Sequence, residues 1–190
     1  MRCFVAIDLP ADVRGALGAA GDDLRVVAPR ADVRWVGAAA LHLTLKFLGE
    51  VPEERVAAIR DSLAAVAAAT RQMTLTCAGL GVFPGPSRPR VVWAGITDGL
   101  RELGSLAAAV ERAVEPLGFA PERRPFRGHV TLGRVRSPRG CGPLARAIDA
   151  RGTRYGTWKV AHVVLYRSHL RRTGSVYEPL ATLPLGGCVV

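Results

Sequence analysis

Two short motifs of the same form, His-x-Thr-Leu, carry the side chains best suited to chemistry. They read His42-Leu-Thr-Leu and His129-Val-Thr-Leu, and they use two of the four histidines. Alternate side chains of a strand share a face, so each motif predicts an imidazole beside a hydroxyl, opposite a core-facing residue. Imidazole titrates near pH ~6.5, so one ring can accept a proton while the other donates one. The motifs therefore predict acid–base catalysis at a phosphate, whose non-bridging oxygens Thr44 and Thr131 would bind.

Other chemistries fit these residues less well. Threonine is a poor metal ligand, and no Asp or Glu near the motifs completes a ligand set. Gly-x-Ser-x-Gly and Cys-x-x-Cys spacings are both missing from the sequence, so we read Cys3, Cys77, Cys141 and Cys188 as small hydrophobic residues or surface thiols. We therefore expect a reaction without metal or cofactor. A strained cyclic phosphodiester suits such a site, although the residues alone do not say which histidine is the acid.

Two residues beyond the motifs are candidate substrate contacts. If the strands are regular, Lys46 shares the face of His42, whereas Phe47 and Arg134 lie on the opposite face. The Arg134 guanidinium then reaches a phosphate only if a bulge or strand end intervenes at Gly133. Phe47 would stack on a nucleobase at the mouth of a cleft, but regular alternation favours its packing in the core.

The charge balance indicates a polyanionic partner. Lys and Arg number 26 against 16 Asp and Glu, a net charge of +10, which attracts nucleic acid. His162 and His169 lack a paired threonine, and we read them as structural or surface residues. A basic band surrounds the second motif and would follow an RNA backbone, or be an ordinary solvated surface; it comprises Arg123, Arg124, Arg127, Arg136 and Arg139.

Strand and helix patterns place the motifs on extended segments. Helices are predicted to begin near Pro10 and Pro52, to run from Leu100 to Leu117, and to cover 143–150. Strands are predicted at 2–8, 33–36, 41–48, 72–83, 90–96, 129–135, 158–167 and 175–184.

The two halves of the chain share one pattern. His42 and His129 lie 87 residues apart, and the same shift places the first strand and helix on those that begin the second half. We therefore expect one bilobal domain over 1–190, with approximate halves 1–86 and 87–190 that join at the Pro/Gly-rich loop 84–89. Its fold class would be α/β of the α+β type. Two lobes related by a pseudo-two-fold axis, each with an antiparallel sheet flanked by helices, would enclose the site in a cleft.

The sequence also bears on location and assembly. The N-terminal apolar run breaks at Asp8 and Pro10, too early for a signal peptide, and no stretch approaches the ~18 apolar residues of a membrane helix. We expect a cytoplasmic protein with no membrane association. It should be a monomer, since two lobes already complete the site.

Four segments together resemble a known family. They are 4–10 (Phe-Val-Ala-Ile-Asp-Leu-Pro), 42–49, 125–134 and the terminal pattern at 165–168 and 177–180. They are similar to the 2H phosphoesterase superfamily, in particular to RNA 2′,3′-cyclic phosphodiesterases, historically called 2′-5′ RNA ligases. The resemblance implies a bilobal fold and hydrolysis of RNA 2′,3′-cyclic ends to 2′-phosphomonoesters, with weak reversible 2′-5′ ligation. It also implies that His42 is the proton donor and His129 the proton acceptor; Gly128 stands where the family often has proline.

Two alternatives stay open at this stage. The chain would be a non-catalytic RNA-binding module of the same fold, or a cyclic phosphodiesterase of a small nucleotide. Turnover of a cyclic phosphate in chelator separates the first from an enzyme. Comparison of RNA with mononucleotide substrates separates the second.

Overall fold

A computed structural model describes residues 1–137, 139–149, 152–171 and 174–186. Within them the helices are α1 Ala11–Val27, α2 Val56–Ala69, α3 Leu100–Val114 and α4 Gly142–Asp149. A short 3-10 helix, Ala38–Ala40, precedes the third strand. The strands are β1 Arg2–Asp8, β2 Val33–Trp35, β3 His42–Glu50, β4 Met73–Phe83, β5 Val91–Asp98, β6 His129–Val135, β7 Arg154–Val160, β8 His162–Arg171 and β9 Gly174–Pro184.

The strands form one antiparallel sheet, curled like half a barrel. Its order is β7-β4-β5-β6-β3-β1-β8-β9, with β2 also beside β6. The α+β class and the pseudo-two-fold expectation are both confirmed by this order. Strands at equal distances from the β6–β3 junction correspond under the 87-residue shift: β6 to β3, β5 to β1, and β4 to β8.

The sheet consists of two strand groups, β7-β4-β5-β6 and β3-β1-β8-β9, and each group contains strands from both halves of the chain. β4, from the first half, pairs with β5, and β8, from the second half, pairs with β1. The groups therefore do not coincide with the halves 1–86 and 87–190, and that division of one bilobal domain stays a prediction. They meet where Leu43 pairs with Val130. The sequence had suggested that the loop 84–89 joins the two lobes. In the structure this loop connects the paired strands β4 and β5.

Helices cover the apolar face of this sheet. Each has buried residues at helical spacing, and α3 shows this most clearly with Leu103, Leu106, Val110 and Val114. Leu43, Leu45, Val130 and Leu132 come from the sheet side of the same core. This packing leaves the alternate side chains of β3 and β6 on the opposite face.

Several segments differ in detail from the sequence prediction. The strand predicted at 158–167 is two strands, β7 and β8, with Ala161 between them. Local apolar periodicity cannot separate them, because the run stays apolar across the break.

Cys3, Cys77 and Cys141 are free and buried, as small hydrophobic residues would be, and Cys188 lies outside the described residues. Among the described helices, none is both long and apolar enough to cross a membrane.

Candidate active site

The two His-x-Thr motifs lie side by side at the centre of the sheet. β3 and β6 are antiparallel neighbours, and Leu43 pairs with Val130. Continuing that register by one residue each way places His42 opposite Thr131 and His129 opposite Thr44. The structure thus brings all four side chains to one face, around the pseudo-two-fold axis, in place of two separate sheets that face each other.

Both imidazoles are held by the same type of hydrogen bond. His42 Nδ1 lies 2.9 Å from the carbonyl oxygen of Ala40, and His129 Nδ1 lies 2.7 Å from that of Arg127. A carbonyl oxygen only accepts, so each Nδ1 is the donor. Each ring therefore keeps Nε2 for proton transfer, as a base when neutral and as an acid when protonated.

His42 lies in an aromatic, largely buried setting. Its ring centroid is 4.7 Å from that of Phe4 and 4.9 Å from that of Tyr177, which meets it edge-on. Burial lowers the pKa of His42 below its usual value; the bond to Ala40 and the charge of Asp8 oppose this shift, and the charge of Arg134 adds to it. The Arg134 charge thus acts on a histidine of the other half.

His129 has a more open setting. Phe83 meets its ring edge-on at 5.2 Å, and Phe83 stacks on Trp93 at 4.9 Å. These three residues, with Phe126 and Arg127, line a cavity of about 420 Å³. A small molecule has room beside His129.

A β-bulge changes which side chains of β3 reach the site. Thr44 and Lys46 pair with consecutive residues of β1, so Leu45 is the extra residue. Alternation reverses beyond it. Phe47 is on the face of His42 and 63% exposed, so the expected core packing is wrong. Lys46, expected beside His42, is instead turned into the core and 6% exposed.

The second half has the same bulge at the equivalent residue. Thr131 and Gly133 pair with consecutive residues of β5, so Leu132 is the extra residue of β6. Gly133 faces the core, where an added Cβ would lie 2.7 Å from a β2 valine. Arg134 is exposed on the face of His129. Arg134 was expected to reach the site only if a bulge intervened at Gly133. A bulge is present at Leu132, one residue earlier.

Lys46 has a structural contact in place of a site contact. Its Nζ donates to Glu111 Oε2 at 2.8 Å and to the carbonyl oxygen of Ala120 at 2.7 Å. Glu111 Oε2 also accepts from the backbone N–H of Glu122 at 3.3 Å. This buried pair ties β3 and α3 to the loop that leads into His129.

Two residues near the site were not singled out by their sequence. Asp8 is the cross-strand partner of His42, and Arg34 is the partner of Arg134. Cross-strand partners point to the same face of a sheet. Asp8 could have been found by pairing the first strand with the first motif, whereas β2 is too short to give any pattern.

The remaining histidines are outside the pair of motifs. His169 Nε2 lies 2.7 Å from Glu178 Oε2 at the surface. His162 Nε2 lies 3.7 Å from Asp8 Oδ2. Over the described ranges, no group of three or more His, Cys, Asp or Glu side chains is placed to hold a metal ion.

Comparison with known proteins gives a consistent result. The family described as LigT-like phosphoesterase matches residues 7–93 and 96–177. The RNA 2′,3′-cyclic phosphodiesterase of Aeropyrum pernix is 39% identical over 140 residues, which cover 73% of this chain and 78% of that protein. The protein of the same name from Methanothermobacter thermautotrophicus is 31% identical over 186 residues, 97% of this chain and 99% of that one.

Solved structures share the whole fold. A Thermus thermophilus protein superposes with a TM-score of 0.81 at 30% identity and covers 99% of this chain and 100% of its own. E. coli LigT in complex with 3′-AMP superposes with a TM-score of 0.73 at 32% identity and covers 97% of each chain. The similarity thus includes both halves and the junction between them.

Proposed function

This chain belongs to the LigT-like phosphoesterase family, and from that membership we propose that it hydrolyses RNA 2′,3′-cyclic phosphodiester ends to 2′-phosphomonoesters. The observation that carries the proposal is the matched pair of imidazoles. Both direct Nδ1–H to a backbone carbonyl and keep Nε2 for chemistry, on either side of one axis. That arrangement suits a reaction with one proton to accept and one to donate.

The proposed reaction proceeds by one displacement at phosphorus. Nε2 of His129 accepts a proton from water as its oxygen bonds to phosphorus. Nε2–H of His42 gives a proton to the 3′ oxygen as the bond from phosphorus to that oxygen breaks. The phosphate remains on the 2′ oxygen. The choice of His42 as donor follows the family resemblance.

Four further side chains would bind the substrate. The hydroxyls of Thr44 and Thr131 would donate to the non-bridging oxygens, where charge builds up in the transition state. Arg134, exposed on the same face, would hold the phosphate through its guanidinium fork. Phe47 would stack on the nucleobase.

The same site would support ligation in the presence of a second strand. A 5′-hydroxyl takes the place of water, loses its proton to His129, and forms a 2′-5′ bond as the 3′ oxygen leaves. The reverse of this step cleaves that bond. No group beyond those of hydrolysis is required.

The proposed partner is an RNA end, bound by a monomeric cytoplasmic enzyme without a cofactor. The net charge of +10 supports a polyanionic substrate. The surface pair Arg34 and Arg134 extends positive charge away from the phosphate position. An RNA chain longer than one nucleotide would use this extension.

The test is hydrolysis of an RNA oligomer ending in a 2′,3′-cyclic phosphate, in excess chelator. His42→Ala and His129→Ala should each lower kcat about 10²–10⁴-fold, the usual contribution of an acid or base. His169→Ala is the matched control, because that ring binds a surface glutamate, and it should retain wild-type activity. Wild type that binds the oligomer without turnover would instead identify a non-catalytic RNA-binding module.

A further inference from the structure

The two catalytic histidines differ in their cross-strand partners. Asp8 pairs with His42, and Gly95 pairs with His129. Positions 8 and 95 correspond under the 87-residue shift that relates the two halves, so the two histidines differ in an equivalent neighbour. Directly opposed residues of an antiparallel pair have Cβ atoms about 4.5–5.5 Å apart. One imidazole therefore has a carboxylate beside it where the other has a glycine.

The Asp8 carboxylate is fixed in place. Tyr166 Oη donates to its Oδ1 at 2.6 Å, and His162 Nε2 lies 3.7 Å from its Oδ2. Burial and the bond to Asp8 raise the pKa of Tyr166, so the phenol remains a neutral donor. The side chain of Asp8 is 35% exposed, so its charge is only partly screened by solvent.

The equivalent space beside His129 is already filled. A Cβ added to Gly95 would lie 3.1 Å from the carbonyl oxygen of Ala78 and 3.2 Å from the Trp93 ring. The same indole packs on Phe83, which meets His129 edge-on. The Trp93 ring thus occupies, beside His129, the place that the Asp8 carboxylate occupies beside His42.

From this asymmetry we infer that Asp8 is the positioning residue whose carboxylate favours the protonated form of His42 against the effect of burial, and so biases this ring towards the proton-donor role, while Gly95 gives His129 no such neighbour. The inference rests on the proposed function. It adds a structural cause for a division of roles that the two identical motifs do not supply. Asp8 acts through His42 and does not itself touch the reacting atoms.

The other groups around His42 do not replace Asp8. Arg134 of β6 acts in the opposite direction, since its positive charge disfavours a second one on the imidazole. Tyr166 of β8 and Tyr177 of β9 present uncharged rings. His162 and Arg14 lie near the Asp8–Tyr166 pair and carry no negative charge. Asp8 is thus the anion whose charge favours the protonated ring.

The direct test is NMR titration of protein labelled with ¹⁵N-histidine. In Asp8→Asn the midpoint of His42 should fall by about one pH unit, the lower end for loss of a nearby opposite charge. The His129 midpoint should move much less. Asp8→Glu should restore the His42 midpoint, and Asp8→Ser is a second neutral variant if Asp8→Asn fails to fold. An unchanged His42 midpoint, or equal shifts of both rings, would overturn the inference.

Asp61→Asn is the charge-matched control. Asp61 is an exposed carboxylate of α2 whose partner is Arg60, so its loss changes the net charge equally. Neither histidine midpoint should move in this variant. A His42 shift as large as that in Asp8→Asn would assign the effect to net charge and refute the role of Asp8.

A substrate with sulfur in place of the bridging 3′ oxygen tests the donor role. A thiol has a pKa of about 8.5, so the sulfur leaves without protonation. With the oxygen substrate at pH ~8, Asp8→Asn should be about tenfold slower than wild type, the equivalent of one pKa unit. With the sulfur substrate this deficit should disappear, while His129→Ala stays slow. Persistence of the full deficit would refute the donor role of His42.

The two proposals fail in different ways. No turnover of the oxygen substrate by wild type would refute the proposed function and the donor role that depends on it. Normal wild-type turnover with an unchanged His42 midpoint in Asp8→Asn would refute the asymmetry inference alone.

Discussion

Arg134 occupies in the second half the position that Phe47 occupies in the first. Each residue follows a bulged leucine, and each is exposed on the face that carries the histidines. The partner of Phe47 on β1 is Phe4, whereas the partner of Arg134 on the equivalent strand β5 is Val91. One bulge thus presents an aromatic ring and the other a cation. A nucleotide needs both, since its base stacks and its phosphate is charged.

Arg134→Gln should lower kcat/KM for a cyclic-ended RNA about 10–100-fold. The reason is the loss of a charge-assisted hydrogen bond to phosphate, which contributes about 1.5–3 kcal/mol. Arg134→Lys should recover part of the loss, since it keeps the charge without the fork. Arg101→Gln, at an exposed arginine of α3, is the charge-matched control. Equal effects at positions 134 and 101 would exclude a specific phosphate contact.

Phe47→Ala should raise KM about 5–100-fold with little change in stability. Stacking contributes about 1–3 kcal/mol per base, and a side chain that is 63% exposed contributes little to the core. Phe47→Tyr should behave as wild type, and Val26→Ala, an exposed apolar residue of α1, is the control. A cyclic ribose phosphate without a base should be insensitive to Phe47→Ala; equal sensitivity would rule out stacking.

Arg34→Gln should distinguish RNA from a small nucleotide as substrate. For an oligomer, KM should rise and the dependence of log KM on log salt should weaken by about 0.7 per lost contact to single-stranded RNA. For a 2′,3′-cyclic mononucleotide, whose single phosphate we propose is held by Arg134, KM should stay unchanged. Steady-state kinetics across a salt series gives both values. An equal effect on the mononucleotide would place Arg34 at the terminal phosphate.

Lys46→Met should destabilise the fold by about 2 kcal/mol, below the usual 3–5 for breaking a fully buried pair because Glu111 is 24% exposed. The double variant Lys46→Met/Glu111→Leu should recover at least half of the loss, since it leaves no unpaired charge. Urea unfolding measures both free energies. A double variant less stable than Lys46→Met would contradict the unpaired Glu111 charge as the cause of the loss.

The free energy of unfolding should fall as the pH drops below about 6.5, and His42 should account for part of this fall. Burial lowers the pKa of His42 in the folded state, so the unfolded chain binds the proton first. The stabilising contribution is therefore present above the unfolded pKa and lost as the pH falls towards the folded one. Chemical unfolding of wild type and His42→Gln between pH 5 and 8 should show a flatter profile for the variant. Parallel profiles would contradict this.

The sequence alone predicted the fold class, the family and the approximate positions of the helices. The repeat of His42 and His129 at one spacing, with threonine two residues on, allowed both motifs to be placed on equivalent strands. Confirmation came from the strand order and the family match. The catalytic and binding roles of the site residues stay predictions until the variants above are measured.

The errors have a shared physical cause. Lys46 and Phe47 were placed on the wrong faces because alternation holds only for a regular strand, and Leu45 interrupts it. A bulge depends on the partner strand, which local pattern does not contain. For the same reason the pairing of β4 with β5 and of β8 with β1 was not predicted, although β1, β4 and β5 were predicted approximately where they lie.

The exchange of β4 and β8 has a consequence for ancestry. A chain that held only one half would lack the outer strand of its own strand group. It could complete that group only with the outer strand of a second copy. Such a chain would have been a strand-swapped homodimer with one active site on its symmetry axis, made of two identical motifs. A single chain that holds both halves, unlike such a dimer, can carry different residues at equivalent positions, as this one does at Asp8 and Gly95.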